Sequence, residues 1–223
     1  MTKEYLYELL KKEEFLKKVI EVVTPQLLLR SGFSWKEMGY PEIWEGDLNL
    51  RDNKTLTDLG KLTSIGGSAY FGNSIITDLG QLKEITGYAY FSYSKIIDLG
   101  QLTSIGESAY FENSNIEDLG NLKEIKGDVY FENSQIKNLG KLTSIGGNAH
   151  FEDSNIEDLG NLKEIGGWVD FENSNIEDLG NLTSIGGSAD FRYSQIKSLG
   201  NLTSIGGSAY FKNSKITNLK NLT

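Results

Sequence analysis

The side chains best suited to chemistry in this 223-residue chain return at intervals of 20. Glu112, Glu132, Glu152 and Glu172 form one series, which Arg192 and Lys212 continue. Tyr70, Tyr90, Tyr110 and Tyr130 form a second, continued by His150, Asp170, Asp190 and Tyr210, and Tyr88 and Trp168 stand two residues before it. A row of carboxylates can steer a basic partner and accept its arginine forks. Tyr, Trp and Arg are the residues that anchor interfaces. These positions therefore point to binding, and the expected partner site comprises Tyr90, Tyr110, Tyr130, Glu132, His150, Glu152, Trp168, Asp170, Glu172, Asp190 and Arg192. Its centre is expected at Tyr110, Tyr130, Glu132, Glu152, Trp168, Asp170 and Glu172, with the three glutamates standing in solvent.

Catalytic readings find no anchor. His150 is the only histidine and takes the place that Tyr fills in neighbouring copies, with no Cys or second His beside it in the pattern. A surface contact is expected there, not a catalytic or metal site. The glycines recur with the repeat and do not mark a phosphate loop or nucleophile elbow. The glutamate series lacks the Asp-x-Asp pattern of a calcium loop. The NLT triplets at Asn181, Asn201 and Asn221 match a glycosylation acceptor but are phrases of the repeat. The expectation is a non-enzymatic chain without a cofactor.

Charge sharpens the class of partner. The net charge is −9, and residues 98–180 carry 17 Asp or Glu against five Lys or Arg. Nucleic-acid binding draws on cations that neutralise phosphates, so a basic protein surface is the better match. With no cysteine there is no disulfide framework, which fits a reducing compartment. Residues 1–23 alternate charge with apolar side chains and offer no stretch of signal-peptide or membrane-span character. A cytoplasmic protein without membrane contact is expected.

The elements that position these columns follow from the repeat itself. DLGKLTSIGGSAYFGNSIIT begins at Asp58, and its phrase returns at 78, 98, 118, 138, 158, 178 and 198 without insertion. An irregular first copy precedes it, in which Leu48 stands 21 residues before Ala69 and Asn53 stands where Ser74 follows. SAYF alternates small, apolar, variable and apolar, the mark of a short strand with Ala69 and Phe71 inward and Tyr70 outward. Stacking identical turns lays each strand beside its copy, in a parallel ladder of nine rungs ~4.8 Å apart. Ile76, Leu79, Leu82 and Ile85 keep a turn-rich return path against the core. The DLG Asp suits a backbone-capping turn and its Gly a left-handed position. The GG before the strand reads as a looser need for one permissive residue.

AxFxxSxI followed by DLGxLxxIxG resembles a leucine-rich repeat, closest in phrase to the variant in receptor L domains, over about three quarters of the chain. The phrase lacks the LP dipeptide of the common bacterial 20-residue repeats, and it puts Ala for their Leu and Ser for their Asn. The resemblance implies a solenoid with a parallel sheet on one face, and protein recognition on that sheet.

Residues 1–45 are expected to form a helical cap, with an amphipathic helix over 3–23, a short helix from Pro25 to Leu29 and a capping box at Ser34 and Glu37. Residues 46–223 are expected to form one continuous solenoid domain. Lys212, Lys215 and Lys220 lie near the last rung and discourage edge pairing, so a monomer is expected, with end-to-end dimers as the alternative. Three functions compete: a scaffold gripping a basic protein region, a phage-type inhibitor imitating nucleic acid to block a DNA- or RNA-handling host protein, and a self-assembling structural rod.

Overall fold

The 20-residue register builds a parallel β-solenoid. The computed structural model of the protein describes residues 3–4, 25–30, 34, 36–39, 41–217 and 219. Each coil carries two strands of two residues, and these assemble into two nine-stranded parallel sheets. The first, here the face sheet, runs from Leu48–Asn49 through Ala69–Tyr70 and its copies to Ala209–Tyr210. The second, the return sheet, runs from Ile43–Trp44 through Ser64–Ile65 and its copies to Ser204–Ile205. In both, each residue pairs with its counterpart 20 residues on, and the irregular first rung joins with Leu48 opposite Ala69.

One sheet with a turn-rich return is therefore too simple. The TSI and KEI segments form a second ladder, because a 20-residue coil bends sharply enough to leave two straight runs. A row of isolated bridges, such as Asp98 to Asp118, links the coils along a third run. Thr hydroxyls tie the return sheet together, as in Thr103 and Thr143, which donate to the carbonyls of Lys83 and Lys123. Asn121, Asn161 and Asn181 donate across coils to Gly100, Gly140 and Gly160. The NLT asparagine at 181 thus has a structural task.

The core repeats as the sequence does. Phe71 and its copies through Phe191 are fully buried, stacked on one another and then on Phe211 at 5.0–5.6 Å between ring centroids. Ile76, Leu79, Leu82, Ile85 and nearly all their copies close the interior. Burying a Phe or Leu side chain contributes about 1.5–3 kcal/mol, and every coil adds the same set of such side chains to the core.

Two residues per coil turn the chain left-handed. The DLG glycines have φ of 55–60°, and the preceding Asp accepts the glycine N–H, as Asp118 does from Gly120 at 2.7 Å. The second is a non-glycine position, Asn73 and its copies, with φ of 53–59°. Asn and Asp tolerate this region better than most residues. The GG pair needs room more than conformational freedom: a Cβ on Gly87 would lie 2.7 Å from the Ser68 backbone nitrogen. The buried serine column is less uniform than expected. Ser154 and Ser194 donate to the Phe carbonyl three residues back, while the hydroxyls of Ser74, Ser94, Ser114, Ser134 and Ser174 have no partner.

At the N-terminal end, a six-residue helix, α1 (Pro25–Arg30), meets the first rung. Gln26 donates to the Asn49 carbonyl at 2.8 Å and accepts the Asn49 N–H at 2.9 Å, so its side-chain amide stands in for a neighbouring strand. Leu29 is buried against the core. Glu37 accepts the Ser34 N–H at 2.9 Å and Ser34 Oγ accepts the Glu37 N–H at 3.3 Å, the reciprocal capping box. These bonds, chiefly that of the Ser34 backbone, hold the Glu37 carboxyl down at about 2. The expected helix over 3–23 lies almost wholly outside the described residues, as do Asn221 and Lys220. Among the described residues, no helix is long and apolar enough to cross a membrane.

Candidate binding face

The face sheet sets Tyr70, Tyr90, Tyr110, Tyr130 and His150 on consecutive rungs, and the rings form one continuous stack. Centroids of the tyrosine pairs are 4.6–4.8 Å apart with planes within 6° of parallel, and Tyr130 meets His150 at 4.3 Å. Trp168 closes the stack edge-on to His150 at 4.5 Å and is 36% exposed. Tyr88 tilts against Tyr90 at 6.2 Å, and Arg51 lies over Tyr70. Burial, followed by the charge of neighbouring phenols or acids, raises the pKa of Tyr90, Tyr110 and Tyr130 above the ordinary tyrosine value.

Beside the rings runs the acidic column. Ser92 donates to Glu112 at 2.6 Å. His150 Nδ1 faces Glu132 Oε1 at 3.7 Å and Glu152 Oε1 at 3.5 Å. Arg192 bridges Glu172 at 2.7 Å and Asp190 at 2.6 Å through one guanidinium nitrogen, while its Nε donates to Asp190 as well. Asp170 accepts the Glu172 N–H, and Asp190 accepts the Arg192 N–H. All eleven expected residues thus lie along this one face.

The expectation that Glu132, Glu152 and Glu172 stand in solvent needs correcting. Their side chains are only 23%, 30% and 29% exposed, and one oxygen each of Glu132 and Glu152 is buried without a hydrogen-bond partner. The cause is the rung spacing: at ~4.8 Å, a side chain on a ladder packs against its own copies above and below. Burial pushes the Glu132 carboxyl up to about 7, against the pull of its own backbone N–H, and the charges of Glu152 and Glu112 add to the rise. Asp170 rises chiefly through burial too, with Glu152, Asp190 and Glu172 adding to it. Hydrogen bonding to Asp190 raises the already high pKa of Arg192.

Two side-chain groups bring three ligand-bearing residues within 4.8 Å of one another: Glu132, His150 and Glu152, and Asp170, Glu172 and Asp190. The linear pattern offers His150 neither a Cys nor a second His, but the ladder supplies carboxylates from its own rung and the one before. Sequence reasoning also passed over Tyr93 and Tyr193. They occupy the left-handed position at the end of a face strand, with φ of 58° and 57°, and are 61% and 44% exposed. The signal was present as FSYS and FRYS where FENS is usual. No family model, curated protein or solved structure matches the chain, so the reading of this face rests on its own geometry.

Proposed function

We propose that the chain is a non-enzymatic, cytoplasmic protein-binding scaffold of leucine-rich-repeat type, whose acidic, tyrosine-lined face grips a basic region of a protein partner. The observation that carries this reading is Arg192. Its guanidinium lies across Glu172 and Asp190 on two adjacent rungs, and it is an internal example of how a partner's arginine would seat on the column. Glu112, Glu132 and Glu152 offer the same carboxylates with no such guanidinium between them. A partner cation would relieve the repulsion that helps raise Glu132. The partly exposed stacked rings beside them supply apolar surface for the aliphatic stems of Arg and Lys.

Capture from a nuclease-treated lysate of the native host tests this. A basic protein should be retained by the wild-type chain, released by salt, and lost when Glu132, Glu152 and Glu172 are all changed to Lys. If that partner normally handles DNA or RNA, the nucleic-acid-imitating inhibitor becomes the specific form of the function. Retention by the triple variant would refute the face as the binding surface.

A further inference from the structure

We infer that Glu132, His150 and Glu152 form a binding site for a divalent transition-metal ion, with zinc the best match. The inference goes beyond the partner reading and does not depend on it. Along the acidic column two clusters have similar donor spacing but different occupants. In Asp170–Glu172–Asp190, the Arg192 guanidinium supplies the positive charge from within the chain. In Glu132–His150–Glu152 the facing group is an imidazole, which supplies a ligand nitrogen.

The distances suit a small ion. Tetrahedral zinc, with ligands at 2.0–2.2 Å, holds its donors roughly 3.4 Å apart. His150 Nδ1 stands 3.7 and 3.5 Å from the two carboxylate oxygens, so slight side-chain movement closes the set. The imidazole is already oriented by the Tyr130 face and the Trp168 edge, which leave Nδ1 aimed at the acids. The remaining oxygens of Glu132 and Glu152 are buried and unpartnered, which water bound to the ion would remedy. An imidazole ligand suits zinc and its neighbours, whereas calcium and magnesium prefer oxygen alone. Three protein ligands leave a coordination position open on the face.

Titrating zinc chloride into the chelator-stripped full chain by isothermal calorimetry tests the site. One equivalent should bind, His150→Tyr and Glu152→Gln should each weaken binding at least tenfold, and Glu172→Gln should leave it within about twofold. His150→Tyr restores the residue of the preceding rungs, and an unchanged circular-dichroism melt would show that the ladder is intact. Absence of zinc binding, binding that survives His150→Tyr, or equal binding of calcium would overturn the inference. Partner capture repeated in chelator separates this failure from failure of the scaffold reading.

Discussion

From Tyr70 to Tyr130 the face stacks neutral rings 4.6–4.8 Å apart, whereas from Glu132 to Arg192 the same ladder brings carboxylates together. Stacked rings attract one another, by about 0.5–1.5 kcal/mol per pair beyond their buried area. Stacked carboxylates repel, and each must be protonated, bridged or paired. The first region is satisfied within the chain. The second is satisfied at Arg192 and left with buried unpartnered oxygens at Glu132 and Glu152. Identical backbone geometry therefore yields a self-satisfied stripe of rings in one half and carboxylates that lack partners in the other.

The largest expected effect breaks the ladder common to both regions. Phe111→Ala removes a fully buried ring held between Phe91 and Phe131 at 5.2 and 5.0 Å, and should cost ~3–5 kcal/mol in chemical denaturation. A loss below about 1 kcal/mol would mean that the ring column is not the core.

Next comes the charged half. Glu132 has a folded-state pKa raised from 4.5 to about 7, so the folded chain holds a proton that the unfolded chain has released between those values. Its contribution is fully present below about pH 4.5 and is lost as pH rises through about 7. In chelator-containing buffer, Glu132→Gln should flatten that fall and leave the protein more stable at pH 8. Allowing for solvent screening, the gain is on the order of 1–2 kcal/mol. Unchanged pH dependence would show that Glu132 is not strained by its place in the column.

A smaller effect probes the missed tyrosines. Tyr93→Asn places in the left-handed position the residue used by most coils, and should stabilise by about 1 kcal/mol. If Tyr93 also touches the partner, the variant will melt higher yet bind more weakly, a trade between stability and function. Smallest of all, Asn115→Ala at an exposed, variable position should shift the melting midpoint hardly at all.

What the sequence disclosed and what it hid divide along physical lines. The register, the face strand and the inward Phe were legible because eight copies repeat each cue, and the 21-residue step at Leu48 stood out against that register. The return sheet was not, since around Ser64–Ile65 and Glu84–Ile85 the apolar pairs Leu62 and Ile65, and Leu82 and Ile85, recur at a spacing of three, which hides the period of two that marks a strand. Likewise, Glu132 beside Glu152 was readable as a column, but its half-burial depends on the tightness of the stack. The approach of His150 to two acids is a cross-rung property that no linear spacing displays. Gln26 capping Asn49 is a contact across 23 residues between unlike elements, and the repeat carries no trace of it.

On the proposed reading, the face and not acidity in general binds a basic partner. Anisotropy of a labelled oligo-arginine peptide, titrated with two triple variants of equal charge, tests it most directly. One carries Glu132, Glu152 and Glu172 changed to Lys; the other carries Lys at Glu117, Glu157 and Glu177, exposed acids of the return path. The face triple should lose at least tenfold in affinity and most of the salt dependence, while the return-path triple stays within about threefold of wild type. Equal losses in the two, or a greater loss in the return-path triple, would mean that the face is not the binding surface.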